Sequence, residues 1–268
     1  MHPKQLLAQY GLEPKKSLGQ NFLFDENVLA RIAATADLRP HDQVLEVGPG
    51  LGALTRRLAQ ATARVVAVEL DARFLPILRD QLAPFANVQI VHGDILEQDP
   101  AALFEGPYKV VANVPYYITG AILRHLLGAR HKPACLALTV QQEVAERITA
   151  VPPNMSLLAV SVQFYGRAVV AHSIKAGAFW PRPDVDSAVV RIDVNEDLTR
   201  VDEAAFFHVA RAGFSQKRKQ LQNNLRRLGL DKRAVQAALA AAGIDGRRRA
   251  ETLTIEEWRT LTKVMRSE

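Results

Sequence analysis

Cysteine is nearly absent from this chain: Cys135 stands alone among 268 residues, inside the apolar run ACLALTV. No intramolecular disulfide can form, which suits a reducing cytoplasm rather than a disulfide-stapled secreted domain. A lone cysteine among apolar neighbours reads as a small buried hydrophobe. The seven histidines are scattered and form no Cys/His ligand spacing, so no metal site is expected. The N-terminus carries lysines but no apolar core of the length a secretion signal needs. No run approaches the ~18 apolar residues of a membrane helix. Repeats and low-complexity tracts are missing as well. These absences lead us to expect a soluble, cytoplasmic protein without a membrane partner.

What is present is the balance of a globular domain, 48% hydrophobic and 23% charged, with a net charge of +6 and a pI near 9.6. The basic excess favours a polyanionic partner without requiring one. From position 43, short apolar runs alternate with helical patterns. Strands are expected at Gln43–Val47, Arg64–Val68, Val88–Val91, Lys109–Ala112 and Cys135–Val140. Helices are expected near Ala53–Gln60, Ala72–Leu82, Ile118–Leu127 and Gln142–Thr149. Such alternation builds βαβ units around a mostly parallel sheet, an α/β fold of Rossmann-like type. Two further strand-like runs, Leu157–Tyr165 and Ser187–Val194, have no long helix between them and are expected to pair as an antiparallel edge hairpin. The pattern changes near Asn195, where helical segments rich in Ala, Arg and Lys begin. We therefore expect a catalytic domain over residues 1–194 and a small all-helical domain over 195–268. Residues 193–268 hold 15 Lys/Arg against 11 Asp/Glu, most of the chain's excess positive charge.

The run V-L-E-V-G-P-G-L-G ends a strand and opens a helix. Gly48, Gly50 and Gly52 allow a sharp turn and close approach to a ligand. Glu69 closes the second strand 21 residues after Gly48, where a carboxylate can accept both hydroxyls of an adenosine ribose. Dinucleotide enzymes share this logic, but their G-x-G-x-x-G places a pyrophosphate on a helix N-terminus. Here the spacing is G-x-G-x-G, and Glu46 precedes the first glycine by two residues. A buried carboxylate there repels a pyrophosphate and suits the ammonium and sulfonium of S-adenosyl-L-methionine. A dinucleotide site and a purely structural glycine turn remain as alternatives. After the third strand, Asp94 of His92-Gly93-Asp94 is placed to accept from the cofactor's adenine amine, although Gly-Asp is also a common turn.

The fourth strand leads into Asn113-Val114-Pro115-Tyr116. An exocyclic adenine amine is a poor nucleophile because its lone pair is delocalised into the ring. Accepting hydrogen bonds from both N–H groups favours the pyramidal, reactive amine. The Asn113 side-chain oxygen and the Val114 carbonyl can do this together, Pro115 biases Val114 to an extended conformation, and Tyr116 can stack on a flipped base. Positioning supplies much of the acceleration. An ordinary turn is the alternative for such a tetrapeptide.

In combination these residues resemble the ribosomal RNA adenine N6,N6-dimethyltransferases, over about Lys15 to Leu261. The motifs are Ser17-Leu18-Gly19-Gln20-Asn21-Phe22-Leu23, Glu46–Gly52, Glu69, Gly93-Asp94, Asn113–Tyr116 and Phe179–Ser187, followed by basic F-S-Q-K-R-K-Q-L-Q-N-N-L from Phe214 and R-A-E-T-L from Arg249. The resemblance implies a class I methyltransferase fold with a seven-stranded sheet, and S-adenosyl-L-methionine as methyl donor without a metal. It implies donor contacts from Asn21, Leu23, Gly48, Glu69, Asp94 and Asn113, with Gln20 close by and Phe179 as a second aromatic at the target base. The chain departs from the pattern at Val114, often leucine in the small-subunit branch, at Tyr117, often asparagine, and at Ser156-Leu157, where many members have Tyr-Gly.

Within the family, K-S-L-G-Q-N-F-L and the long basic tail favour the small-subunit branch, which dimethylates two adjacent adenosines in the 3′-terminal hairpin of 16S rRNA during ribosome assembly. The alternative branch modifies one 23S adenosine and confers macrolide resistance. The N-x-P-Y loop also resembles DNA adenine and release-factor glutamine methyltransferases, and a non-catalytic rRNA-binding assembly factor is the alternative of another class. If Gln216–Leu228 is one helix, Leu221, Leu225 and Leu228 share a face opposite Lys219, Asn223, Arg226 and Arg227. Arg211 to Gly229 contains six Lys/Arg and no acid. Lys217, Arg218, Lys219, Arg226 and Arg227 are therefore expected to bind rRNA within an assembling small subunit, with the protein acting as a monomer.

Overall fold

A computed structural model describes residues 1–195 and 202–267. Residues 196–201 and 268, which belong to the expected helical domain, lie outside the described residues. The chain divides into two compact units, residues 1–145 with 167–194, and residues 146–166 with 195–268.

In the first unit, helix α1 (Pro3–Gln9) precedes a short strand β1 (Phe22–Leu23) and α2 (Glu26–Thr35). Asp25 caps α2, its side chain accepting from the Asn27 and Val28 amides. Strand β2 (Gln43–Val47) leads through the glycine loop into α3 (Ala53–Ala61). Strand β3 (Arg64–Glu69), α4 (Leu75–Leu82), β4 (Val88–His92), the short α5 (Pro100–Leu103) and β5 (Lys109–Asn113) follow. Then come α6 (Thr119–Gly128) and β6 (Cys135–Gln141). All five expected strands and the four helical stretches that accompany them are present, displaced by a few residues at their ends.

The seven-stranded sheet has the order β4-β3-β2-β5-β6-β9-β7, with β7 spanning Gly166–Ile174 and β9 Ser187–Val194. The pairs β3·β4, β2·β3, β2·β5 and β5·β6 are parallel, whereas β9 runs antiparallel to β6. Chain progression reverses between β2 and β5, and a crevice beyond the carboxyl ends of such strands is where open α/β sheets bind ligands. The centre of the sheet is fully buried: Val44, Leu45, Val65, Val110, Val111 and Leu136 are 0% exposed. A separate two-stranded ladder joins β1 to β8 (Phe179–Trp180), pairing Phe22 with Trp180 and Leu23 with Phe179.

The edge strand differs from expectation. Helix α7 (Gln142–Ile148) is followed by α8 (Leu157–Gln163), which occupies the run expected to be a strand, and Gly166–Ile174 supplies the edge instead. A short, mostly apolar run does not discriminate strand from buried helix. The Ser156 side chain accepts from the Ala159 amide and thereby starts a helix.

Phe164, just past α8, packs at a tilt against Phe206 on α9 (Glu203–Gly213), ring centroids 4.3 Å apart, and residues 146–166 belong to the second unit and not to the expected 1–194 domain. That unit continues with α10 (Leu221–Leu225), α11 (Lys232–Ala241) and α12 (Ile255–Ser267) around buried Phe206, Leu221, Leu225, Leu239 and Trp258. The single helix envisaged over Gln216–Leu228 is broken. The Leu221 and Gln222 amides donate to the carbonyls of Arg248 and Gly246 rather than to carbonyls one turn back. Buried Asn224 donates to the carbonyls of Gly213 and Gln216, which fixes the preceding residues as a turn. No helix among the described residues is long and apolar enough to cross a membrane.

Candidate active site

One cavity in the first unit gathers the glycine loop after β2, the end of β3, the turn after β4 and the turn after β5. All six expected donor-site residues line it: Asn21, Leu23, Gly48, Glu69, Asp94 and Asn113. Val114, Pro115 and Tyr116 line it as well, and Gln20 lies with them. Phe179 does not. It is 3% exposed and packs into the core with Leu23, Leu29 and Val189. Ladder pairing to Leu23 holds its strand behind the cavity wall.

The carboxylates are set by the backbone. Glu69, 6% exposed, accepts from the Gly50 amide at 3.0 Å on one oxygen and from the Asp71 amide at 2.8 Å on the other. Burial raises its pKa, while these two N–H bonds pull it back down. Each oxygen keeps a lone pair for a further donor. Asp94 lines the cavity and accepts from the Leu96 amide at 2.9 Å through Oδ1, its other oxygen having no hydrogen-bond partner among the described residues. Glu46 is 1% exposed, and its Oε2 has no hydrogen-bond partner among the described residues. Burial first, and then the charge of Glu69, push its carboxyl up to about 8. The nearby Thr55 hydroxyl tempers that rise without making an acceptable hydrogen bond.

A buried, unsatisfied acid suits a cationic ligand end, and an oriented carboxylate suits vicinal hydroxyls. Gly48 has φ +67°, and a Cβ there would meet only Pro115 Cδ at 4.0 Å, which leaves room for a ligand against the backbone. The lining therefore fits S-adenosylmethionine. No group of three or more His, Cys, Asp or Glu among the described residues is placed to hold a metal ion.

Around the reactive tetrapeptide the hydrogen bonds are directional. Asn113 Nδ2 donates to the Asn21 carbonyl at 3.2 Å, and Asn21 Nδ2 in turn donates to the Gly19 carbonyl at 3.3 Å. With its amide nitrogen engaged, Asn113 has an Oδ1 without a hydrogen-bond partner among the described residues. Pro115 has φ −60° and ψ 129°, and the Tyr116 hydroxyl bonds Ser187 Oγ at 2.7 Å. Ser187 is fully buried. Gln20 Nε2 donates to Asp71 Oδ2 at 2.9 Å, tying the N-terminal loop to the turn that orients Glu69. The parts played by Asp71 and Ser187 carry no signal in spacing or composition.

The model of the family described as ribosomal RNA adenine dimethylase matches residues 11–267. This chain belongs to that family. It is 45% identical over 263 residues to the ribosomal RNA small subunit methyltransferase A of Dehalococcoides mccartyi, covering 96% of this chain and 90% of the relative. The protein of the same name from Lactiplantibacillus plantarum is 45% identical over 276 residues, covering 98% and 93%. Among solved structures, the 23S rRNA methyltransferase ErmE superposes with a TM-score of 0.75 at 32% identity, covering 92% of this chain and 100% of that one. A dimethyladenosine transferase from Plasmodium falciparum, at 22% identity, shares the fold with a TM-score of 0.79. Membership makes the chain a methyltransferase, and its sheet order agrees with the Rossmann-like fold.

Proposed function

We propose that this enzyme dimethylates the N6 amines of two adjacent adenosines in the 3′-terminal hairpin of small-subunit rRNA, within an assembling subunit and as a monomer of the cytoplasm. The observation that carries the chemistry is the Asn113 side chain, pinned through Nδ2 to the Asn21 carbonyl and lining, with Val114, a cavity that fits the methyl donor. Identity of 45% over nearly the whole chain to proteins named ribosomal RNA small subunit methyltransferase A supports the choice of RNA.

S-adenosylmethionine supplies, when bound, an electrophilic methyl group on a sulfonium. Glu69 holds the ribose hydroxyls, Asp94 the adenine amine and Glu46 the cationic end, with Asn21, Leu23 and Gly48 shaping the wall. Asn113 Oδ1 and the Val114 carbonyl accept the two N–H groups of the target amine and favour its pyramidal form. Pro115 fixes the direction of that carbonyl. Tyr116, braced by Ser187, stacks on the base, and Phe179 supports Leu23 from behind instead of touching the base. Substrate RNA is held by exposed Lys217, Arg218, Lys219, Arg226 and Arg227 of the helical unit. These five make no ion pair among the described residues, whereas Arg247, Arg248, Arg249 and Arg266 of the same unit are all paired with acids. Mass spectrometry of rRNA after incubation of unmodified small subunits with enzyme and labelled donor tests the proposal. N6,N6-dimethyladenosine at two neighbouring positions is expected, and label confined to 23S rRNA would overturn it.

A further inference from the structure

The tetrapeptide at the cavity is followed by a second aromatic residue that the chemistry leaves without a task. Tyr116, Tyr117 and Ile118 form one turn of 3-10 helix, in which successive side chains point about 120° apart. Tyr116 turns inward to Ser187, while Tyr117 lines the cavity and is 58% exposed, one of the few large apolar side chains on the surface. Its hydroxyl has no hydrogen-bond partner among the described residues, so nothing polar explains its place.

The ring of Tyr117 is nonetheless supported. It lies over Gly19: a Cβ built on that residue would come within 3.4 Å of Tyr117 Cδ1 and 3.6 Å of Cε1. Gly19 has φ +60° and its carbonyl receives the Asn21 amide, so the loop beneath the ring is the one that pins Asn113. Lys15 opens the same loop, is exposed, and makes no ion pair among the described residues; its backbone amide donates to Gln20 Oε1 at 2.7 Å. A partly exposed aromatic ring lining the cavity, backed by a glycine in a loop that also carries an exposed, unpaired lysine, has the ingredients of a nucleotide subsite: a π face and a candidate phosphate partner.

We propose that Tyr117 is a stacking platform for the nucleotide adjacent to the adenosine held at Asn113, with Lys15 contacting its phosphate. The inference rests on reading the cavity as an adenine N6 site. When one of two neighbouring adenosines is inserted, the other must leave its own stack, and Tyr117 gives that base a surface at the lip. It acts as a positioning residue, raising occupancy of the productive RNA pose while Asn113 and Val114 act on the amine.

The test compares Tyr117→Ala, Tyr117→Leu, Tyr117→Phe and Tyr117→Trp on unmodified small ribosomal subunits. Stacking makes a specific pattern: Tyr117→Ala and Tyr117→Leu raise KM for subunits about tenfold, Tyr117→Phe and Tyr117→Trp stay close to the parent, and kcat changes little. Calorimetric affinity for S-adenosylmethionine should be unchanged in all four, which also shows that each variant is folded. Lys15→Gln should raise the same KM and reduce its salt dependence. A parent-like KM in Tyr117→Ala overturns the proposal, as does Tyr117→Phe behaving like Tyr117→Ala or Tyr117→Leu behaving like Tyr117→Phe. If the parent enzyme itself leaves subunits unmethylated, the fault lies with the reading of the site, so the two failures are distinguishable.

Discussion

A buried carboxylate beside a glycine loop is the residue with the most testable chemistry. The Glu46 carboxyl, pushed from an ordinary 4.5 to about 8, stays protonated in the folded protein at neutral pH. Below about pH 4.5 it is neutral in both folded and unfolded chains. Between there and pH 8 only the unfolded chain ionises, so stability falls with rising pH and levels off above it. Glu46→Gln removes that dependence. The melting temperature of the variant relative to the parent should therefore climb from about pH 5 to about pH 8, and a flat difference by differential scanning calorimetry would refute the assignment. A cationic ligand end favours the ionised form, so donor binding near neutrality should release a proton, read as buffer-dependent calorimetric heats. Glu69→Ala is expected to weaken donor binding by about 1–3 kcal/mol, the scale of hydrogen bonds to a charged group. Asn113→Ala should cost turnover about a hundredfold or more at saturating donor while leaving the melting temperature nearly unchanged; near-parental turnover would remove its chemical role. That Gly48, Glu69, Asp94 and Asn113 gather at one cavity is legible in the sequence, because each lies at or just after the end of a strand in the order a ligand crevice needs. Asn21 was legible only through family resemblance, since a carbonyl that fixes another residue's amide leaves no mark on spacing. Ser187 lies 71 residues from the tyrosine it braces, a distance only the fold closes.

At the scale of elements, the sequence is clearest where hydrophobic period and turn chemistry agree. The central strands β2, β3, β5 and β6 are short, largely apolar and buried runs, as parallel strands covered on both faces must be, whereas β4 at the sheet edge is only half-buried. It fails where tertiary hydrogen bonds override the local pattern. The run Leu157–Gln163 is apolar at nearly every position, and a serine cap decides its helical state. Leu221–Leu225 is cut short because its first amides go to the Gly246 and Arg248 carbonyls. Helix α1 gave no periodic signal in seven residues, yet Leu6 and Leu7 join Phe22 and Phe74 in a core cluster. Helix packing in the second unit makes its own prediction. A Cβ on Gly213, the last residue of α9, would clash with Trp258 Cη2 on α12, and that ring is fully buried. Gly213→Ala should thus destabilise the protein by about 1–3 kcal/mol, the usual cost of overpacking. Thermal unfolding should show the loss, and an unchanged melting temperature would mean that α9 and α12 have slack this packing does not show.

At the scale of the molecule, the excess of positive charge acquires a place. The net charge of +6 alone argued weakly for nucleic acid, since many basic proteins bind none. The structure sorts cations by whether they are already used. Arg248 bonds Glu257 and Arg247 bonds Asp245, so these cations are partly neutralised within the fold. Lys219, Arg226 and Arg227 are exposed and meet no acid among the described residues, although they do not share the continuous helical face that the sequence suggested. Lys219 sits in the turn held by Asn224, and the two arginines sit in the single 3-10 turn that Gly229 ends. A turn fixed by buried hydrogen bonds presents cations with less entropy to lose than a flexible tail does. Neutralising Lys219, Arg226 and Arg227 together is therefore expected to weaken binding to small subunits and to flatten its salt dependence by about 0.7–0.9 log units per lost phosphate contact. S-adenosylmethionine affinity should not move, because the donor cavity is lined entirely by residues of the first unit. Titrations at several salt concentrations read both quantities. An unchanged affinity and slope in the triple variant would place the docking surface elsewhere, with the loop opened by Lys15 as the next segment to neutralise.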